Sequence, residues 1–232
     1  VKHFPKHRTD SISFSSAETE QKFNLYVAPS TNESTLRSSF KMCSTSQWNY
    51  EKTKLTLVNA DFENVVTNLA YRPFDERWTV YNRGFVTILR EKIMQNLRDP
   101  RNIALLTVRG TKGHQFRHAF VARGLIDRHA IDNASESMYV FPLYILDGDE
   151  LSPNLPKYWY SKFEGSNDNE RAYKSFCYIY AVLYSNSYRR RYAEQLLSDF
   201  PRIPLTENLE LKSRLIELGE KLCSLHLMEY NI

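Results

Sequence analysis

The sequence has 232 residues, of which 42% are hydrophobic and 25% are charged, with a formal net charge of +4. This composition is typical of a folded soluble protein of one large or two small domains, and it excludes the disordered, collagen-like and disulfide-rich classes. The longest apolar run, residues 138–146, is too short to span a bilayer, and the start of the chain does not lead into an apolar core, so we expect a cytoplasmic protein without an export signal.

The first hundred residues carry weak patterns. Residues 1–60 are a poorly assigned lead-in, rich in Ser and Thr up to residue 49. Beyond that, Arg72-Pro73 favours an extended or turning backbone. The patterns predict strands at residues 23–27, 54–58 and 78–81, and helices at residues 61–69, capped by Asp61, and at residues 87–98, ended by Asp99-Pro100.

Two strand-like runs in the middle of the sequence predict a β-hairpin. They cover residues 103–109 and 115–123 and are joined by Gly110-Thr111-Lys112-Gly113-His114. A short connection that contains glycine between two such runs is a strong hairpin signal. The predicted hairpin therefore has a basic tip that is bracketed by glycines.

The second half of the chain changes from strand to helix. Residues 138–146 predict a buried strand, and residues 147–169 predict a loop. Helical spacing of aromatic residues follows at residues 171–185 and 188–198. A final helical stripe is formed by Leu211, Leu215, Leu218, Leu222 and Leu225. We therefore predict an α+β fold: a mixed, strand-rich domain over residues 1–165 and an all-helical tail over residues 166–232.

Charge is distributed unevenly along the chain. Residues 71–130 contain 12 Lys and Arg against 5 Asp and Glu, a balance of +7, whereas residues 131–170 contain 2 against 8, a balance of −6. A concentrated positive segment is what a polyanion-binding surface requires. Solvated faces whose signs happen to cluster would look the same, so charge alone leaves both interpretations open.

Several catalytic signatures are missing from the sequence. It contains no phosphate-binding Gly-x-x-x-x-Gly-Lys loop, no Gly-x-Gly-x-x-Gly turn, no Gly-x-Ser-x-Gly elbow and no His-Glu-x-x-His helix. It has no Pro-Pro pair, and so it lacks the Asn/Asp-Pro-Pro-Tyr/Phe motif with which amino-methylating DNA methyltransferases hold an extruded base. We expect no catalytic residues and no cofactor in this chain. It begins at Val1 rather than Met, so we expect a fragment of a longer polypeptide or a processed N-terminus.

One loose pattern points to metal chemistry. Asp10, Glu20 and Lys22 have the spacing of an acidic residue followed by Glu-x-Lys, which binds Mg²⁺ in metal-dependent nucleases. Surface charges are the simpler interpretation, because the flanking residues are rich in Ser and Thr. Two His-x-x-x-His pairs lack a third ligand, and the three cysteines form no Cys-x-x-Cys motif, so we expect reduced thiols and no metal site. These residues are His3 with His7, His114 with His118, and Cys43, Cys177 and Cys223.

The hairpin is the stronger functional candidate. Its tip and flanks carry side chains that can donate hydrogen bonds to phosphates and to base edges, namely Arg109, Lys112, His114, Gln115 and Arg117. The same charges would also keep an edge strand soluble, so both interpretations remain open. A second basic cluster at residues 189–191 is more often a solvated helix face than a phosphate clamp.

A series of motifs resembles one family. Tyr71-Arg72-Pro73-Phe74-Asp75-Glu76-Arg77-Trp78 resembles the Tyr-Arg-Pro-Phe-Asp-x-Arg segment that opens the target-recognition domain of type ISP and type IIG restriction-modification enzymes. The resemblance continues in order to about residue 229. It includes an Arg-x-x-Ile-Met helix at residues 90–94, a strand at residues 103–109, Tyr-Val-Phe-Pro-Leu-Tyr at residues 139–144, and an aromatic helix at residues 178–185 in which Tyr184 replaces a family His.

The resemblance implies a module that reads duplex DNA. Its parent chain would carry an adenine N6 methyltransferase and an endonuclease, with S-adenosylmethionine and Mg²⁺ as the cofactors of that parent chain. The expected partners are double-stranded DNA and the methyltransferase domain of the same polypeptide, and no membrane. Phosphate contacts are expected from residues 71–130, including Arg72, Arg77 and Arg90. The open alternatives are a Mg²⁺-dependent nuclease fragment and a protein-interaction module.

Overall fold

The computed structural model describes residues 2–3, 11–40, 49–82, 85–113, 115–131 and 137–229. The chain divides into two compact units. The first contains Val1–Met94 and Gly124–Arg128, and the second contains Gln95–Arg123 and His129–Ile232. This division follows compactness and not function, so the predicted functional boundary at residue 165 stays a prediction.

The first unit combines a four-stranded sheet with short helices. Its strands are β1 (Lys2–His3), β2 (Ile12–Ser13), β3 (Val66–Arg72), β4 (Asp75–Val80), β5 (Val86–Ile88) and β8 (Leu125–Ile126), the last numbered in chain order. Its helices are α1 (Ser16–Val27), α2 (Glu33–Phe40), α3 (Tyr50–Leu57), α4 (Phe62–Val65) and α5 (Glu91–Met94). The sheet order is β2-β4-β3-β8, in which β8 pairs parallel to β3 and the other pairs are antiparallel, while β1 pairs separately with β5.

Two helices of the first unit replace predicted strands. The strand predicted at residues 23–27 is wrong, because these residues end α1, where Ser15 caps the helix and Thr19, Phe23 and Tyr26 share its buried face. The strand predicted at residues 54–58 is also wrong, because α3 covers them and begins at a cap from Asn49. In both segments the buried residues are spaced three and four positions apart, which is helical spacing. This burial decides the structure in spite of the short strand-like pattern of the sequence.

The other early predictions hold in part. The predicted cap Asp61 accepts a hydrogen bond from the N–H of Glu63, but α4 ends at Val65 and the chain continues as β3. The helix predicted at residues 87–98 is wrong at its start, since β5 covers residues 86–88 and α5 begins at Glu91. Arg90, with a positive φ of 56°, interrupts the regular backbone conformation between the strand and the helix.

The second unit packs helices on a three-stranded sheet. Its strands are β6 (Ala104–Val108), β7 (Ala119–Ala122), β9 (Met138–Pro142), β10 (Tyr144–Asp147) and β11 (Glu150–Pro153). Its helices are α6 (Lys157–Tyr160), α7 (Asp168–Tyr184), α8 (Asn186–Arg191), α9 (Ala193–Ser198) and α10 (Leu209–His226), with a 3-10 turn at Gln95–Arg98. The sheet order is β7-β6-β9, all antiparallel, and β10 and β11 form a hairpin.

The predicted hairpin and aromatic helix are confirmed. β6 and β7 pair antiparallel from Ala104 with Ala122 to Thr107 with Ala119, although β7 is shorter than predicted and starts at Ala119. The predicted strand at residues 138–146 is divided into β9 and β10, and the predicted loop contains β11 and α6. Because α7 to α10 form a helical C-terminal region after the sheets, the α+β class is confirmed.

The close contact between α7 and α10 organises the second unit. A Cβ atom at Gly219 would lie 1.9 Å from the carbonyl oxygen of Cys177, so only glycine permits the observed approach of the two helices. Cys223, one turn later, is buried on the same face. The predicted leucine stripe is buried in part: Leu215 and Leu222 pack against the core, whereas Leu211, Leu218 and Leu225 are about half exposed.

Candidate nucleic-acid interface

The connection between β6 and β7, residues 109–118, is fixed at its base by α9. Gly110 has a φ of +71°, and a Cβ atom there would lie 2.8 Å from the carbonyl oxygen of Leu197. The N–H of Thr111 donates to this same oxygen at 3.0 Å. Glycine is therefore needed at residue 110 both for its backbone conformation and for its close approach to α9.

Exposed basic side chains extend from this connection. Arg109 is 61% exposed, and its Nε donates to Asp199 at 3.0 Å. Lys112, Gln115 and Arg117 are exposed, and Nη2 of Arg117 donates to Oε1 of Gln115 at 3.1 Å. The predicted residues thus lie together on one short connection. The remaining predicted residue, His114, lies outside the described residues.

A buried ring anchors the outer half of the connection. Phe116 is 5% exposed and belongs to a core cluster with Tyr178, Val182 and Tyr188 of α7 and α8. Because Phe116 is buried, its neighbours Gln115 and Arg117 lie at the surface beside an anchored point of the backbone. Donors that are held in place lose less conformational entropy when they bind a ligand.

Arg189 is a basic side chain at this connection that the sequence does not single out. Its guanidinium lies 5.9 Å from the ring centre of Phe116 and 4.8 Å from that of Tyr184. Its Nε donates to the carbonyl oxygen of Leu183 at 2.6 Å. The run Arg189-Arg190-Arg191 is a visible signal, but it does not show which of the three side chains turns inward.

Two arginines of the first unit, both predicted to contact DNA, form ion pairs within that unit. Nη1 of Arg72 lies 2.9 Å from Oδ1 of Asp127, whose side chain is 1% exposed. Arg77 donates through two nitrogens to Asp75, and this hydrogen bonding lowers the pKa of the Asp75 carboxyl. Neither pairing tests a DNA contact, so these roles stay predictions.

The same two arginines also stack on aromatic rings of the first unit. The guanidinium of Arg77 lies 3.6 Å from the ring centre of Phe14, and that of Arg72 lies 4.0 Å from the ring centre of Tyr71. Arg90, the third predicted contact of this unit, is exposed, and its carbonyl oxygen accepts the N–H groups that start α5. Its role on DNA also stays a prediction.

The nuclease-like pattern does not form a strand-based site. Glu20 and Lys22 lie on α1, where residues two apart do not face each other, and Asp10 lies outside the described residues. Nζ of Lys22 instead lies 2.8 Å from Glu18 and donates to the carbonyl oxygen of Ile12. Within the described ranges, no three His, Cys, Asp or Glu side chains are placed to hold a metal ion. The described helices also include none that is long and apolar enough to cross a membrane.

Solved structures share this fold. The chain aligns over 95% of its length with 22% of a chain in a cryo-EM structure of a DrdV–DNA complex, with a TM-score of 0.67 and 19% identity. It aligns over 94% with 20% of a nuclease-deletion mutant of the Type ISP restriction-modification enzyme LlaGI in complex with a DNA substrate mimic, with a TM-score of 0.61 and 22% identity. It aligns over 96% with 15% of the ATP-dependent Type ISP restriction-modification enzyme LlaBIII bound to DNA, with a TM-score of 0.62 and 18% identity.

The shared fold is thus one found in restriction-modification enzymes, and the chain spans between 15% and 22% of the solved chains that it matches. The family model for the Type ISP C-terminal specificity domain matches residues 6–231. The chain belongs to this family, which confirms the resemblance seen in the sequence motifs. Comparison with curated proteins finds no matching relative.

Proposed function

We propose that this chain binds duplex DNA and selects the sequence on which a longer restriction-modification polypeptide acts. The observation that carries the proposal is the specificity-domain match over nearly the whole chain. The solved chains that share the fold are described as bound to DNA, which supports the same kind of ligand here. The buried free thiols of Cys177 and Cys223 agree with a reducing cytoplasm as its location.

The catalytic steps belong to other parts of that polypeptide in this proposal. An adenine N6 methyltransferase domain would use S-adenosylmethionine, and an endonuclease would use Mg²⁺. The specificity domain would hold the DNA in one register and position the target adenine for them. The missing base-holding motif and missing nucleotide loops support this division of labour.

Phosphate contacts and base contacts have separate roles. We assign a phosphate contact to Lys112, because a flexible, exposed ammonium group suits a backbone phosphate. Arg109 and Arg117 carry planar guanidinium groups, and such a group can bind either guanine through two hydrogen bonds or a phosphate. The connection over residues 109–118 would then contribute both register and sequence preference.

The test begins with the target sequence. Mapping methylated adenines in DNA from cells that express the full polypeptide gives the cognate site. Fluorescence anisotropy then measures binding of the polypeptide to cognate and scrambled duplexes over a salt series. Absence of duplex binding, or methylation without any sequence preference, would overturn the proposal.

Lys112→Ala tests the phosphate contact within the same experiment. It should weaken binding to both duplexes alike and lower the salt slope by about 0.9, the value for one phosphate. Lys157→Ala is the matched control, since Lys157 is also an exposed lysine of the second unit but belongs to α6 and not to the connection. Equal effects of the two variants would contradict the assignment.

A further inference from the structure

One half-buried arginine differs from the other half-buried arginines in the described part of the chain. Four half-buried arginines each form an ion pair with a carboxylate: Arg72, Arg77, Arg123 and Arg171. Arg189 is also half-buried, but it pairs with no described carboxylate. Its Nη2 is buried without a hydrogen-bond partner among the described residues.

This arrangement leaves a positive charge without a negative partner. A guanidinium taken out of water is destabilising unless a counter-charge or hydrogen bonds replace the water. Burial lowers the pKa of Arg189 from its ordinary value, and the positive charge of Arg117 acts in the same direction. The free protein thus holds two like charges near each other beside the connection over residues 109–118.

We propose that the missing counter-charge is a phosphate of duplex DNA, held jointly by Arg189 and Arg117. The inference rests on the proposed function and adds a phosphate-binding residue to it. The rings of Phe116 and Tyr184 fix the plane of the guanidinium, so its positive charge has a set position beside the connection. Nη2 is buried, but Arg189 as a whole is only half-buried, so a phosphate can approach the guanidinium charge from its solvent-facing side.

The position of Arg189 explains why the phosphate would set the register of the DNA. Its backbone is held in α8, and its Nε is held by the carbonyl oxygen of Leu183 at the end of α7. Arg117 follows Phe116, which is buried in the same core cluster. A phosphate between two such fixed groups has one position relative to the second unit, whereas a mobile lysine would permit many.

The test compares neighbouring arginines in the full polypeptide. Arg189→Gln keeps a polar side chain of intermediate length but removes the charge, and Arg190→Gln makes the same change at an exposed neighbour on α8. We expect Arg189→Gln to weaken duplex binding on the order of tenfold, as for a charge-assisted hydrogen bond, while Arg190→Gln changes it less. In the absence of DNA, Arg189→Gln should unfold at a temperature close to that of the wild type, because removing a charge that has no negative partner offsets the loss of the hydrogen bond to Leu183.

Two further measurements address the shared phosphate. The double variant Arg117→Gln with Arg189→Gln should lower the salt slope by about 0.9, and by about twice that if the two residues bind separate phosphates. Duplexes with a neutral methylphosphonate at one position at a time should include one that weakens binding of the wild type, weakens binding of Arg189→Gln less, and does not weaken binding of the double variant. That duplex would identify the phosphate.

The outcomes separate this inference from the proposed function. If the wild type binds its cognate duplex but Arg189→Gln binds equally well, the phosphate site is wrong and the proposed function stands. A lowered unfolding temperature together with an unchanged salt slope in the double variant would show that Arg189 has only a structural role. If the wild type binds no duplex, the proposed function itself fails.

Discussion

The hydroxyl group of Tyr180 lies 2.6 Å from Nδ1 of His226, and this contact joins α7 to α10. Phe120 stacks on the imidazole at 5.5 Å between ring centres, and the ring of Tyr184 lies 5.1 Å away. The histidine therefore sits among aromatic rings, next to the turn that carries Cys223. Burial lowers the pKa of His226, because its charged form is poorly solvated there.

The first prediction is that acid destabilises the protein through His226. The unfolded state takes up a proton as the pH falls through the ordinary value of 6.5, whereas the folded state does so only at its lower pKa. Stability is therefore fully present above pH 6.5 and falls below it. Urea unfolding at pH 7.5 and pH 5.5 should show this loss in the wild type and a smaller one in His226→Gln.

That experiment has two controls. The first is a variant of a second histidine, and the second is a pH range that stays above the one in which the contribution of Glu170 is lost. His129→Gln should keep the pH dependence of the wild type. Hydrogen bonding from Lys174 lowers the pKa of Glu170 to about 2, so its contribution is lost only as the pH falls below the ordinary value of 4.5. A wild-type stability that is flat from pH 7.5 to pH 5.5 would contradict the prediction.

Tyr180 itself should be a main contributor to stability. Its side chain is fully buried at 0% exposure. Tyr180→Ala should lower the free energy of unfolding by about 3 to 5 kcal/mol, as for other buried aromatic residues. Tyr180→Phe, which keeps the ring but removes the hydroxyl that contacts His226, should have a smaller effect of about 1 kcal/mol. If Tyr180→Ala lowered the free energy of unfolding by less than Tyr180→Phe does, the packing of α7 would differ from that described.

Gly219 should not tolerate a side chain, even though alanine is the better helix former. Gly219→Ala gains about 1 kcal/mol of helix propensity. The added Cβ would lie 1.9 Å from the Cys177 carbonyl oxygen, so the helices must separate. We expect a net loss of about 2 kcal/mol or more in urea unfolding. Ser213→Ala, at an exposed position of the same helix, should have little effect.

The contrast between α7 and α1 shows how far the sequence predicts this fold. α7 runs for 17 residues, so its buried positions repeat often enough to identify one helical face. α1 lies in a Ser-rich and Thr-rich segment, and its buried Thr19 belongs to a polar residue type. Its helix depends on packing against distant residues such as Leu57 and Val80, which local patterns do not reveal.

The candidate site shows the same limit. The glycines and basic residues around Lys112 are adjacent in sequence, so one hairpin brings them together. The pairing of Arg109 with Asp199 joins residues 90 positions apart. Arg189 lies against the ring of Phe116, which is also distant in the chain. Only tertiary packing distinguishes Arg189 from its neighbours Arg190 and Arg191.

A further prediction concerns the pairing of Arg72 with Asp127. Arg72→Ala would leave the nearly enclosed carboxylate of Asp127 without its guanidinium, whereas Arg90→Ala removes an exposed side chain. We expect Arg72→Ala to destabilise the protein by about 2 kcal/mol, less than a fully buried pair because Arg72 is about one third exposed. Thermal unfolding of both variants measures this. Equal effects would show that the pair adds nothing to the first unit.

The last prediction concerns the carboxylate that accompanies the basic connection. Asp199 accepts a hydrogen bond from the N–H of Phe200 and pairs with Arg109, and these contacts lower its pKa. Arg109 and Asp199 are both well exposed, at 61% and 44%, so the ion pair contributes little to stability. The negative charge of Asp199 should nevertheless repel DNA, and its ion pair keeps Arg109 from contacting a phosphate.

Asp199→Asn should therefore strengthen duplex binding and leave stability nearly unchanged. Arg109, once released, is free to neutralise a phosphate, so the salt slope should become steeper by up to about 0.9. The gain should be as large on a scrambled duplex as on the cognate one, because phosphates are the same in both. Glu194→Gln, which removes an exposed negative charge on α9, is the control for net charge alone. Weaker binding by Asp199→Asn would instead indicate that Asp199 positions Arg109 for a base contact, and cognate binding should then fall more than scrambled binding.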